Sequence, residues 1–313
     1  MARFGRKSTA EEVSEGVDLV GKTAIVTGAN AGIGMETARV LALRGAHVIL
    51  ACRDQGRATA AREKLLAGSG GALPAEHLEV RSLDLASLAS VRAFAAEFVA
   101  EGRPLHLLVN NAGIMIPERR VTSDGFEAHF GTNHLGHFLL TNLLLEPLRA
   151  AAPSRVINVA SEAMQMSGLT PELTDLDWEE RKWSGWRAYG SSKLMNLLFT
   201  RAFERRHGAD GITSHALHPG IVRTELARSQ PWPFILLGLV AWPWMKELGA
   251  GAATSVLLAT GPEYGKDGGG YFADCAPTRA PALAGREDVQ ERLWEISVER
   301  TGLAAASAAE GAS

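Results

Sequence analysis

The residues of this chain best suited to moving a proton are a tyrosine and a lysine four positions apart. Tyr189 and Lys193 stand in the run YGSSK, and a separation of four brings two side chains to the same face of a helix. A phenol has a pKa of about 10 and exchanges protons poorly at neutral pH unless a neighbouring cation stabilises the phenolate. Lys193 can supply that charge, so the pair is a candidate acid–base site. By spacing alone, an exposed pair on a helix would be the favoured interpretation.

Two further polar residues stand at positions that favour a functional role. Ser161 ends the apolar run NVAS, so its hydroxyl is expected at the carboxyl end of a strand, where open α/β sheets bind ligands. Asn133 stands in TNHLGH, in the middle of an apolar helical pattern, although asparagine is a weak helix former. A solvent-facing Asn133 is the alternative to a functional one.

A glycine-rich stretch at residues 27–34, TGANAGIG, joins a predicted strand to a predicted helix. Gly28 permits a tight turn, and Gly32 and Gly34 let the backbone approach a pyrophosphate closely. The helix that follows would present free N–H groups to the phosphates. The order of strand, turn and helix indicates a dinucleotide site. Because the spacing is G-x3-G-x-G and not G-x-G-x-x-G, an ordinary tight turn remains the alternative.

Strand and helix patterns alternate along most of the chain. Apolar runs predict strands at 23–27, 46–52, 77–83, 105–109, 155–160, 212–217 and 270–273. Helical spacing predicts helices at 35–44, from 54 to about 67, and at 85–99, 125–151 and 189–207. This order predicts an α/β fold, a single Rossmann-type doubly wound parallel sheet of about seven strands flanked by helices. We expect one domain over 21–303, with an N-terminal extension (1–20) and a disordered tail (304–313).

Two stretches, residues 163–187 and 223–247, interrupt the alternation. The first carries Trp178, Trp183 and Trp186, and the second contains the proline-broken apolar run PWPFILLGLVAWPWM at 231–245. Both follow the carboxyl ends of predicted strands, so we expect them to form lids over an apolar substrate. They could instead cover the edge of the core or contact a second copy of the chain.

Composition argues against several other classes of protein. Hydrophobic residues make up 46% of the chain, enough for a large core, and the net charge of −3 gives no indication of nucleic-acid binding. The two cysteines cannot form a disulfide framework, and His134 and His137 lack the further ligands of a metal site. The N-terminus has no signal-peptide pattern, and the run at 231–245 is shorter than the ~20 residues that span a bilayer. We expect a cytoplasmic protein without a metal ion or transmembrane span; peripheral membrane contact stays open.

The second predicted strand bears on the choice of cofactor. NAD-binding sites of this kind place an acidic residue at the end of that strand, about 20 residues past the glycine turn. Here the position is Cys52, and Arg53 follows it. An arginine can bind a 2′-phosphate, whereas a carboxylate would repel it. The sequence therefore favours NADP(H) over NAD(H). Asp54 argues for NAD(H), and a merely solvated Arg53 is the alternative.

Together these motifs resemble those of the short-chain dehydrogenase/reductase family. The matching elements occur in the family's order between residues 22 and 273: TGANAGIG, Asp84, NNAG (110–113), Asn133, Ser161, YGSSK and Pro219-Gly220. Finer detail is similar to the retinol dehydrogenase and WW-domain oxidoreductase branch, in ACRD (51–54), NNAGIM (110–115) and NHLGHFLLTNLLL (133–145).

The resemblance implies hydride transfer between NADP(H) and a carbonyl or alcohol of a lipophilic substrate, such as a retinoid, a steroid or another aldehyde, ketone or alcohol. Tyr189 would be the general acid or base, Lys193 would lower its pKa and hold the nicotinamide ribose, and Ser161 would bond the substrate oxygen. Asn133 would shape its helix so that a water links Lys193 to solvent. Tyr189, Lys193 and the following residues would bind the cofactor: Gly28, Asn30, Gly32, Ile33, Gly34, Arg53, Asp84, Leu85, Asn111, Ala112, Gly113, Pro219, Val222 and Thr224.

Two other functions stay open from the sequence. One is an NADPH-binding redox sensor or scaffold without turnover, against which the presence of all four catalytic residue types argues. The other is a protein held at a membrane surface by the apolar run at 231–245. The resemblance also implies a homodimer or homotetramer paired through two long helices, here around 133–148 and 189–206.

Overall fold

A computed structural model describes residues 4–222 and 245–303. Its centre is one sheet with the strand order β3-β2-β1-β4-β5-β6-β7-β8. Strands β1 to β7 are parallel, and β8 pairs antiparallel with β7. The predicted doubly wound sheet and its seven strands are confirmed, whereas the two-residue β8 has no signal in the sequence. The strands are β1 Thr23–Thr27, β2 His47–Cys52, β3 Leu78–Ser82, β4 Leu107–Asn110, β5 Ser154–Val159, β6 Ile212–His218, β7 Tyr271–Ala273 and β8 Ala276–Pro277.

Helices cover both faces of the sheet, as the alternation predicts. One face packs against Ala38, Leu41 and Leu258, and the other against Phe94 and Phe203, all nearly inaccessible to solvent. The helices are α1 Ala10–Val13, α2 Gly32–Leu43, α3 Gln55–Gly68, α4 Leu88–Ala100, α5 Gly136–Leu143, α6 Leu145–Ala150, α7 Gly185–His207, α8 Leu248–Thr260 and α9 Glu287–Thr301. Because the strand order reverses between β1 and β4, a crevice opens at the carboxyl ends of these strands.

The helix predicted over 125–151 is divided in the structure. It begins after Glu127, runs through a π-helix at Phe130–Leu135, and continues as α5 and α6. A π turn inserts one residue relative to an α-helix and therefore changes the face on which the following side chains lie. Asn133 stands inside this irregular turn.

The structure contains two helices, α8 and α9, that were not predicted from the sequence. The segment of α8, LGAGAATSVLLAT, is buried almost throughout, so it lacks the apolar stripe of an amphipathic helix. In α9, Trp294 lies 5.0 Å from the ring of Phe138 in α5 and 5.9 Å from that of Phe199 in α7, measured between ring centroids. Helix α9 therefore covers part of the two helices through which pairing of two copies is predicted.

The N-terminal residues that the structure describes pack onto the fold. Ala10 and Val13 of α1 are buried against Val40 of α2 and Val256 of α8. Thr224, residues 223–244 of the second predicted lid and the tail at 304–313 lie outside the described residues. Within the described part of the chain, no helix is both long and apolar enough to cross a membrane.

Candidate active site

The turn between β1 and α2 has the backbone geometry of a phosphate cradle. Gly28 and Gly32 adopt positive φ angles of 65° and 57°, which glycine tolerates best. A Cβ on Gly34 would lie 2.3 Å from Asn111 Nδ2, so no larger residue fits without a shift. No side chain caps α2, and its first turn carries no acidic residue, which leaves its first N–H groups for an anion. The pyrophosphate of a dinucleotide fits this cradle.

The hydroxyl of Thr27 joins this cradle to the next strand of the sheet. Thr27 Oγ1 accepts hydrogen bonds from the N–H groups of Asn111 (2.9 Å) and Ala112 (3.0 Å), just after β4. Asn111 Nδ2 in turn donates to the carbonyl of Thr27 (2.8 Å). These bonds bring the NNAG segment to the glycine turn, which explains why the two motifs form one wall.

The end of β2 presents positive charge to the same crevice. The Cys52 thiol accepts backbone hydrogen bonds from the glycine turn, and burial raises its pKa to about 11, so it is a buried, neutral side chain. Arg53 and Arg57 both line the cleft. Asp54 Oδ1 accepts from the N–H of Arg57 (3.0 Å) and caps α3, so that carboxylate has a structural role. Arg57 was not predicted, although its spacing of four from Arg53 was a usable signal.

A cleft of about 1120 Å³ unites the predicted residues. It is lined by Ser161 and by all the predicted cofactor-binding residues that the structure describes: Gly28, Asn30, Gly32, Ile33, Gly34, Arg53, Asp84, Leu85, Asn111, Ala112, Gly113, Tyr189, Lys193, Pro219 and Val222. Thr224 lies outside the described residues. Asn133 does not line the cleft but lies behind its wall.

Tyr189 and Ser161 both line this cleft. The Ser161 hydroxyl lies close enough to the phenol of Tyr189 to favour its ionised form, and Ser161 Oγ accepts from the N–H of Ala163 (3.2 Å). Burial raises the pKa of Tyr189 to about 12, and the nearby Ser161 hydroxyl only partly opposes that rise. Desolvation of the phenolate is the larger of these two effects, and the lowering of the Tyr189 pKa by Lys193 stays a prediction. Tyr189 is therefore protonated at neutral pH.

Lys193 is a buried cation next to Tyr189. Helix α7 begins at Gly185, four residues before the predicted start, and this places the pair in its second and third turns. Lys193 Nζ lies 5.8 Å from the centroid of the Tyr189 ring and donates to the carbonyl of Val159 (2.8 Å). Desolvation lowers its pKa to about 8. A Cβ on Gly113 would lie 3.2 Å from Lys193 Nζ, so that glycine leaves space for the lysine.

Asn133 is fully buried, and the solvent-facing alternative is wrong. Its Oδ1 accepts from the N–H of Ile114 (2.8 Å), and its Nδ2 donates to the carbonyl of Ile114 (3.0 Å) and to Ser192 Oγ (3.0 Å). The side chain therefore ties the π-helix to the segment after NNAG and to α7. A Cβ on Gly113 would lie 3.4 Å from Asn133 Oδ1, which places the amide close to Lys193.

The mouth of the cleft is apolar. Met166, Trp186 and Ile221 line it and are exposed by 49%, 37% and 66%, unusual values for large apolar side chains grouped together. Met115 and Met245 line the cleft as well. The residues that sequence reasoning missed also include Glu162, His218, Tyr271, Thr278 and Arg279; their only signal was proximity to strand ends.

The first predicted lid, residues 163–187, serves two purposes. Its ends line the cleft through Met166 and Trp186. Its middle covers the core, because Trp178 is only 4% exposed and the guanidinium carbon of Arg181 lies 3.8 Å from its ring centroid. Trp183 Nε1 donates to the carbonyl of Pro117 (2.7 Å).

Two buried histidines near the site predict a loss of stability in acid. Burial lowers the pKa of His134 to about 3 and that of His137 to about 4, from 6.5. The unfolded chain therefore takes up these protons first, so the stabilisation is complete above pH 6.5 and is lost progressively as the pH falls from 6.5 to the folded pKa values. By pH 4, His134 alone should account for about 3 kcal/mol. Urea unfolding between pH 7 and 4 measures this, and His134→Phe should give a shallower slope; an equal slope would contradict the assignment.

Comparison with known proteins agrees with this geometry. The profile of the short chain dehydrogenase family matches residues 22–171. Human retinol dehydrogenase 12 is 45% identical over 287 residues, 92% of this chain and 88% of that protein. Human retinol dehydrogenase 13 is 45% identical over 296 residues, 93% and 87% of the two chains. The crystal structure of an uncharacterised protein from Mycobacterium paratuberculosis is 35% identical, with a TM-score of 0.73 over 93% of this chain and 97% of that one.

The chain is thus an oxidoreductase acting on alcohols or carbonyls, with a fold that implies a nicotinamide cofactor. It belongs to the short-chain dehydrogenase/reductase family, within the retinol dehydrogenase branch.

Proposed function

We propose that this protein transfers hydride between NADP(H) and a carbonyl or alcohol of a lipophilic substrate. The observation that carries the proposal is that Ser161, Tyr189 and Lys193 line the same cleft as the glycine cradle. The nicotinamide supplies the hydride when it is bound. The glycine turn and NNAG segment would hold its pyrophosphate and ribose.

The protein's own residues supply the proton. Because the pKa of Tyr189 is raised to about 12, its hydroxyl is protonated at neutral pH and can donate to a developing alkoxide during carbonyl reduction. Ser161 can stabilise the charge on the same oxygen. Lys193, whose pKa is lowered to about 8, is a cation near neutrality and stabilises negative charge left on Tyr189.

The preference for NADP(H) rests on charge at the end of β2. Arg53 and Arg57 line the cleft there, and Asp54 caps α3. An Arg–phosphate bond is charge-assisted, so Arg53→Asp should weaken NADPH binding by about 10- to 100-fold relative to NADH binding. Fluorescence titration with both nucleotides measures the ratio.

Lys64→Asp is the matched control for this exchange. It makes the same change of charge as Arg53→Asp, but at an exposed position of α3 that does not line the cleft. If it changes the NADPH/NADH affinity ratio as much as Arg53→Asp does, the effect is one of net charge and the assignment to Arg53 is wrong. An unchanged NADPH/NADH affinity ratio in Arg53→Asp would also show that the assignment to Arg53 is wrong.

The substrate is proposed to be lipophilic because Met166, Trp186 and Ile221 surround the mouth of the cleft. The related proteins named retinol dehydrogenase add retinoids to the candidates, beside steroids and other lipophilic aldehydes, ketones and alcohols. Absorbance of the reduced nicotinamide, followed with a panel that includes retinal, retinol and fatty aldehydes, tests this. Turnover on an apolar member supports the proposal, whereas tight NADPH binding without turnover would favour a redox sensor.

The assembly predicted from the resemblance stays a prediction. Helix α9 covers part of α5 and α7 through Trp294, so two copies that pair through these helices would have to use the parts it leaves free. Sedimentation or light scattering would measure the oligomeric state directly.

A further inference from the structure

A buried carboxylate–imidazole pair lies directly behind Tyr189, outside the roles assigned above. Glu127 is 1% exposed and His129 is fully buried. Glu127 Oε1 lies 2.7 Å from His129 Nδ1. Neither residue lines the cleft, so neither touches the substrate or the cofactor.

The hydrogen bonds around His129 determine its tautomer. The N–H of Ile116 donates to His129 Nε2 (3.0 Å), so Nε2 carries no proton. Nδ1 must then carry it and donate to Glu127. The ring is therefore a neutral imidazole with one donor and one acceptor, both in use.

Glu127 is held as rigidly as the imidazole. Its Oε1 also accepts from the N–H of His129 (2.9 Å), and its Oε2 accepts from the N–H of Phe130 (2.8 Å). The N–H of Glu127 donates to Asp177 Oδ1 (2.9 Å). The carboxylate thus caps the helix that contains Asn133 and fixes the orientation of the imidazole at the same time.

The imidazole of His129 contacts two parts of the site, the ring of Tyr189 and the segment 114–116. Its centroid lies 6.2 Å from that of the Tyr189 ring in an edge contact, and 6.0 Å from that of Trp183 in a stacked one. Its bond to Ile116 holds one end of the segment 114–116, and Asn133 holds the other end at Ile114. Ile114 and Met115 line the cleft, so the segment is part of the wall beside the reacting groups.

We propose that His129, oriented by Glu127, is a positioning residue for the reaction, which fixes the ring of Tyr189 and the 114–116 segment. Only the expected change in kcat rests on the proposed function; the expected change in the order of the 114–116 segment does not. A displacement of about 1 Å at a reacting group can cost up to 10²-fold in rate, so a well-packed neighbour of Tyr189 matters without contacting substrate.

The test compares His129→Phe, His129→Gln and Glu127→Gln. Phenylalanine keeps the ring but leaves the Ile116 N–H without its acceptor. Glutamine can return an acceptor to that N–H, so it should restore part of the lost rate. In Glu127→Gln, an amide donor would replace one of the oxygens that accept hydrogen bonds. With retinal and NADPH, we expect kcat per NADPH-binding site to fall about tenfold in His129→Phe, with NADPH affinity unchanged.

His134→Phe is the matched control. It makes the same exchange at another buried histidine of the same helix, whose Nε2 is 2.8 Å from Ser297 Oγ on α9, and it should keep the wild-type kcat. Equal losses of kcat in the two phenylalanine variants, or wild-type kcat in His129→Phe, would overturn the positioning role. Because kcat is expressed per NADPH-binding site counted by fluorescence, protein that fails to fold does not lower the measured value.

A measurement that needs no turnover separates this inference from the proposed function. Hydrogen exchange of the peptide that contains residues 114–116 should be faster in His129→Phe than in the wild type, and slower again in His129→Gln. Unchanged exchange in His129→Phe would refute the inference even if the enzyme is active. Faster exchange that glutamine reverses would support it even if retinal is not a substrate.

Discussion

Replacement of Tyr189 by phenylalanine should lower the rate of carbonyl reduction by about 10²- to 10⁴-fold, the usual contribution of a positioned general acid. The ring stays in place between Lys193 and His129, and only the proton that the hydroxyl donates is lost. NADPH affinity should remain close to that of the wild type, because the cradle of Gly28, Gly32 and Gly34 is untouched. Stopped-flow or steady-state absorbance of NADPH with a productive aldehyde measures the loss.

Tyr264→Phe is the control for this exchange. Tyr264 packs against Phe272 and His215 and does not line the cleft, so its hydroxyl should be dispensable for turnover. Retention of more than a tenth of wild-type kcat in Tyr189→Phe would show that another group donates the proton. A loss of NADPH binding together with turnover would mean that Tyr189 acts mainly by holding the cofactor.

Lys193→Met should have the second largest effect, a fall in kcat of about 10²-fold. Methionine is nearly as long as lysine and suits a buried site, but it removes the cation that stabilises negative charge on Tyr189. The fold should tolerate the change, since an apolar residue often replaces a buried charge without loss of stability. The expected result is therefore a protein with a small residual activity that melts at or above the wild-type temperature.

The pH profile gives Lys193 a second, independent test. Because desolvation lowers its pKa to about 8, the wild-type rate should fall as the pH rises through about 8 and Lys193 loses its charge. The residual activity of Lys193→Met should lack that decline. If the variant keeps the same alkaline limb as the wild type, another group titrates there. An unchanged kcat at neutral pH would remove Lys193 from the mechanism.

The positions of residues at the ends of the strands could be predicted from the sequence. Short apolar runs next to turn residues have one stable arrangement in a chain of alternating strands and helices, a parallel sheet with all carboxyl ends at one edge. The placement of Gly28, Asn111, Ser161 and Pro219 in one cleft follows from that rule. The seven parallel strands were accessible for the same reason, whereas the family was recognised from the resemblance of its motifs.

Patterns that depend on burial were harder to interpret. Helix α8 is surrounded by other elements and lacks an apolar stripe, so periodicity had nothing to detect. The position of Asn133 was open in the sequence, since a polar residue within a helical pattern can face water or a buried partner. The partner proved to be Ile114, nineteen positions away.

The sequence by itself determined the sheet, the identity of the four catalytic candidates and the positive charge at the end of β2, because these depend on local composition and on the topology that it forces. Tertiary structure alone decided the protonation of the site. Burial raises the pKa of Tyr189 and lowers that of Lys193, and desolvation depends on every element packed around a group. The bond from Glu127 to Asp177, fifty positions apart, likewise exists only after the chain has folded.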